Sequence, residues 1–69
     1  MKYMELRGQF ANGDVRWYLY KITCGKAIPI STNGGMLPDV VDEDDLKLAK
    51  RDGYTLLDVT QSEAFLRLL

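Results

Sequence analysis

Five carboxylates, Asp39, Asp42, Glu43, Asp44 and Asp45, fall within the seven residues DVVDEDD, and Asp52 and Asp58 follow. Clustered carboxylates can cage a hard cation, work as an acid–base pair, or present an anionic surface. A calcium loop of the EF-hand type needs Asp or Asn at alternate positions, a glycine at the sixth and Glu at the twelfth. DEDDLKLAKRDG instead places Leu46 at the fifth position and Lys47 at the sixth. On a helix each residue turns by roughly 100° from the last, so Glu43, Asp44 and Asp45 fan outward and do not converge on one ion. A fan of negative groups imitates a phosphate backbone, which carries one charge per roughly 1.7 Å of duplex axis. The chemistry expected of this segment is docking into a groove lined by Lys and Arg.

Histidine is absent and cysteine occurs once, at Cys24. Nitrogen–sulfur metal sites and histidine-based nucleophilic catalysis are therefore excluded, and an internal disulfide cannot form. The expectation is a non-enzymatic binding protein without metal or cofactor. Cys24, a lone thiol in a turn, is given no role.

A second candidate set lies in the first strands. Tyr3, Arg7, Arg16, Tyr18 and Tyr20 fall on one face of a hairpin when it is paired through a two-residue turn, together with Glu5, Gln9 and Ile22. Tyrosine and arginine on an open sheet can stack single-stranded bases, and they also dominate protein–protein hot spots. This gives the alternative readings: a single-strand nucleic-acid module, or an oligomeric structural protein. The acidity of the chain counts against direct nucleic-acid binding.

Charge is divided along the chain. Residues 1–37 hold five basic and two acidic side chains, a net of +3, and residues 38–69 hold four basic and eight acidic, a net of −4, within a total of −1. Halves of opposite sign bear on partners more than on fold. With 69 residues, 46% hydrophobic and 28% charged, the composition is that of one small folded domain spanning residues 1–69. No segment is long and apolar enough to span a membrane, and the start MKYMELRGQF lacks a signal-peptide run, so a complete gene product in the cytoplasm is expected.

The elements that position these residues can be read from local signals. KYMELRGQF alternates as a strand, Asn12-Gly13 suits a two-residue type I′ turn, and VRWYLYKIT returns. That turn pairs Phe10 with Val15, Gly8 with Trp17 and Leu6 with Leu19, all on one apolar face, with Gly8 leaving room for the indole. A second turn at Cys24-Gly25 brings KAIPIS back, with Ile28 opposite Lys21 and Ile30 opposite Leu19; Pro29 assigns this strand to an edge. STNGGMLP reads as a loop. Asp42 is the expected N-cap of a helix, Val41 and Leu46 its hydrophobic staple, and Gly53 its stop. The same acids thus also serve the helix start, and Lys47, Lys50 and Arg51 suit its later turns. YTLLDVT is a further strand, and Thr60 with Glu63 caps a final helix whose stripe is Ala64, Phe65, Leu68 and Leu69. The expected fold is α+β in the order β-β-β-α-β-α: a three-stranded antiparallel meander, a fourth strand beside the first, and two short helices on one face.

In its size, its lack of catalytic residues and the concentrated acidity of DVVDEDD, the chain resembles the small phage-encoded anti-CRISPR proteins. The resemblance is one of character, not of an aligned motif. It implies a partner within a CRISPR effector complex, engaged by DNA mimicry, and a phage gene acting in a bacterial host. The near-neutral total charge and basic first half limit such mimicry to one side of the molecule.

Overall fold

The structure, a computed structural model, describes residues 2–68, with Arg51 described by its backbone alone. Strands β1 (Lys2–Gln9), β2 (Val15–Thr23) and β3 (Lys26–Thr32) form the meander, followed by a short β4 (Val41–Asp42). Helix α1 (Glu43–Leu48) continues into a 3-10 turn (Ala49–Asp52), then β5 (Thr55–Val59) and α2 (Gln61–Leu68) close the chain. All pairings are antiparallel, in the order β4-β3-β2-β1-β5. The α+β class, the meander and the strand beside β1 are as expected; β4 is an addition.

The β1–β2 hairpin differs by one residue from the expected register. Phe10 N–H donates to Asp14 O at 2.9 Å, and Gly13 N–H donates to Phe10 O at 2.9 Å, with Gly13 at φ 90°. This is a three-residue loop with a left-handed glycine, not the two-residue turn. Arg7 now pairs with Trp17, Glu5 with Leu19 and Met4 with Tyr20. Because strand side chains alternate with period two, that single step moves every β2 residue to the other face relative to β1. Gly8 is consequently not paired with Trp17: the Tyr54 ring lies over it, with Cδ1 2.6 Å from where a Cβ would stand.

Both faces of the sheet are buried, each by its own helix, so the two helices do not share a face. Met4, Leu6, Tyr20, Ile22 and Ala27 pack under Leu46 of α1, with Val41, Ala49, Tyr54 and Leu56 around them. On the opposite face Tyr3, Leu19 and Val59 pack under Ala64 of α2, joined by Trp17 and Ile30. Burying one such aliphatic or aromatic side chain contributes about 1.5–3 kcal/mol.

Local signals fare well elsewhere. Cys24 (φ 50°) and Gly25 (φ 75°) form the tight β2–β3 turn, and Ile28 pairs with Lys21. A bulge then shifts the ladder, so that Leu19 meets Ser31 in place of Ile30. β3 is not the edge strand expected, since β4 pairs with it at Lys26 and Ala27, although Pro29 lies on the part that β4 leaves uncovered. Gly53 (φ 87°) ends the 3-10 turn, and Glu63 N–H donates to the Thr60 hydroxyl at 3.2 Å, capping α2. The apolar stripe foreseen on α2 is only partly buried: Ala64 is enclosed, Phe65 and Leu68 are half exposed, and Leu69 lies outside the described residues.

Candidate binding surface

The acidic segment turns from strand to helix at one corner of the sheet. β4 places Asp42 beside Lys26, and Glu43 N–H donates to Gly25 O at 2.8 Å, so the first helical amide is satisfied by the β2–β3 turn. Asp42 occupies the cap position in extended backbone (φ −71°, ψ 148°), but its side chain makes no cap hydrogen bond. It accepts from Lys26 instead, and that contact, aided by the charge of Asp45, raises the Lys26 pKa. Glu43 reaches Lys2 at 3.6 Å and Lys47 at 3.5 Å. Two of the five clustered carboxylates are thus committed to lysines of the same molecule.

The other three are not. Asp39, Asp44 and Asp45 are exposed and make no ion pair among the described residues. Exposed apolar side chains accompany them: Met36 (91% accessible), Leu37 and Val40 in the loop leading to β4. The loop is anchored at its start. Asn33 Oδ1 accepts from Trp17 N–H at 3.0 Å, its Nδ2 donates to Val15 O at 2.7 Å, and Arg16 donates to Gly34 O at 3.3 Å. Asn33 therefore extends the β2–β3 ladder with a side chain where the backbone turns away. The remaining predicted acids lie apart. Asp52 borders a shallow cleft with Gly8, Gln9, Phe10 and Tyr54, and Asp58 is exposed on β5 opposite Met4.

The tyrosine–arginine face is not formed. Tyr3 and Arg7 belong to the face under α2, whereas Arg16, Tyr18 and Tyr20 belong to the face under α1. Tyr3 and Tyr20 are buried, Tyr18 packs against the core, and Arg16 holds the loop. Burial, with the neighbouring Tyr18 adding to it, pushes the Tyr20 phenol above its ordinary pKa. The shifted hairpin register is the cause.

The sequence reading missed one charged group. Glu5 is 1% accessible, and its Oε1 accepts from Arg67 Nε at 3.0 Å and from an Arg7 guanidinium N–H at 3.2 Å. A carboxylate in such a place is tolerated only when paired. Its signal, Glu5 centred in an apolar strand, pointed to solvent only under the wrong register. Among the described residues no three His, Cys, Asp or Glu side chains gather as a metal site, and no helix is long and apolar enough to cross a membrane. Comparison with known proteins finds no family model, curated protein or solved structure that matches this chain.

Proposed function

We propose that this protein is a non-catalytic binding protein that inserts the acidic start of α1 and its preceding loop into a basic, nucleic-acid-binding groove of a protein partner. The observation that carries the reading is the split within the acidic cluster. Asp42 and Glu43 are neutralised by lysines and hold the corner together, while Asp39, Asp44 and Asp45 project into water and form no ion pair among the described residues, Asp45 acting on the Asp42-bound Lys26 only at longer range. Exposed charges of one sign steer an oppositely charged partner and set its orientation. Met36, Leu37 and Val40 add apolar area that can be removed from water on docking. A subunit of a CRISPR effector complex is one groove of this chemistry, and the likeness in size and acidity to anti-CRISPR proteins is what supports naming it.

The test follows from the same split. Asp39→Asn, Asp44→Asn and Asp45→Asn together remove three charges that form no ion pair among the described residues. Proteins captured by the wild-type chain should be nucleic-acid-binding, displaced by duplex DNA, and lost with the triple variant at unchanged circular dichroism. Capture that persists with the triple variant, or that excess DNA does not disturb, rejects the reading. A single-strand-binding or oligomeric role through the tyrosine face is not supported, because Tyr3 and Tyr20 are buried on opposite sides of the sheet.

A further inference from the structure

The two edges of the sheet are built differently. Along β3, Pro29 offers no N–H, the ladder shifts at Leu19/Tyr20, and β4 covers only Lys26 and Ala27. Proline, a bulge and a charged side chain are devices that prevent an edge from accepting another strand. β5 carries no proline or bulge, its one charged side chain, Asp58, stands on the α1 side of the sheet, and among the described residues no strand lies beyond it. Its outer row of N–H and C=O groups is a template for pairing. Leu57 stands 46% accessible on the same face as α2, where Phe65 and Leu66 are exposed as well.

We propose that this edge pairs with β5 of a second copy of the chain, antiparallel about a two-fold axis at Leu57, making one continuous sheet of the two. The strand's own sequence suits that occupant on the α2 side, because TLLDV read against its reverse sets apolar or β-branched residues against one another there, while on the α1 side each Leu56 meets an Asp58. Pairing about Leu57 sets Thr55 against Val59, both β-branched, Leu57 against Leu57, and Leu56 against Asp58. The α2-side seam is then formed by Thr55, Leu57 and Val59 from each copy, and a self-complementary patch is what a two-fold interface requires. No carboxylate faces its own copy directly. The two Asp58 groups lie diagonally, roughly 7 Å apart. This surface is distinct from the loop and α1 acids, so the proposal stands or falls independently of the partner-binding reading.

Sedimentation equilibrium of the full chain tests it. The wild type is expected to populate a dimer at high micromolar concentration. Leu57→Lys, which sets two ammonium groups side by side, should weaken that dimer at least about tenfold with unchanged circular dichroism. Asp58→Asn should tighten it about threefold, the effect of removing two like charges roughly 7 Å apart in water. Cross-linking decides the case in which Leu57→Lys fails to fold. In a Cys24→Ser background, Leu57→Cys should oxidise to a covalent dimer, since directly opposed strand residues fall within disulfide reach, while Asn12→Cys at the hairpin tip should not. A wild type that stays monomeric, a dimer indifferent to Leu57→Lys, or Leu57→Cys cross-linking no faster than Asn12→Cys overturns the proposal.

Discussion

The two faces of this sheet are held by different forces. Under α1 the enclosed contacts are apolar: Leu46 enters a pocket of Met4, Leu6, Tyr20, Ile22 and Ala27, and the 3-10 turn adds Ala49, with Glu43 bonded to Lys2 and Gly25 only at the helix start. Under α2 the helix buries only Ala64, and its firmest attachment is Arg67 to the enclosed Glu5 carboxylate, with the Ser31 hydroxyl donating to Arg67 O at 3.4 Å. Phe65, Leu66 and Leu68 meanwhile stand half exposed or more. Apolar burial is diffuse and survives the loss of one atom, whereas a buried ion pair concentrates its effect in two residues. The α2 layer should therefore open before the α1 layer does.

The largest effect is expected from the apolar side. Leu46→Ala removes the one buried residue of α1 and should cost about 3 kcal/mol, a large part of the stability of so small a domain, read from the urea midpoint. Arg67→Ala leaves Glu5 with the half-exposed Arg7 alone, and should cost about 2 kcal/mol. Its signature distinguishes the faces: amide exchange should accelerate through Gln61–Leu68 while Glu43–Leu48 stays protected. Equal loss of protection in both helices would show that the layers open as one unit. Thr60→Ala removes the α2 cap and should cost about 1 kcal/mol, again with exchange confined to α2.

The smallest effect is at alkaline pH and tests the α1 side. The pKa values of Tyr20 and Lys26 are both raised above their ordinary 10.0 and 10.5. A raised folded-state pKa contributes stability that is present below the unfolded value and lost as pH rises through the folded one. Stability should be flat through neutral pH and fall above about pH 10, with Tyr20→Phe flattening part of that fall. Ultraviolet titration should show a lagging phenol in the folded wild type that disappears in Tyr20→Phe. A Tyr20→Phe variant with an unaltered alkaline limb would remove burial of this phenol as its cause.

What could be read in advance followed locality. Gly53 at the helix stop, Cys24-Gly25 in the tight turn, Pro29 on an open edge and Thr60 as cap are each decided by the backbone of a few neighbouring residues. The acids of α1 were visible as a cluster. Which of them are spent on Lys26 and Lys2 was not, since those pairs depend on where β3 and β1 pass the helix, whereas Glu43–Lys47 is an i,i+4 pair on α1 itself.

By itself, then, the sequence determined four of the strands, the two helices, the α+β class and the position of the charge, because these rest on contacts a few residues long, while β4 was not legible in it. Tertiary structure alone decided the hairpin register, the assignment of each strand residue to a face, and the Glu5–Arg67 pair joined across 62 positions. The physical reason is that alternation specifies register only when one face meets water. With a helix buried on either side, Tyr3, Leu19 and Val59 are as apolar a set as Met4, Leu6 and Tyr20, so the apolar pattern of the strands does not choose between a two-residue and a three-residue turn around Asn12-Gly13.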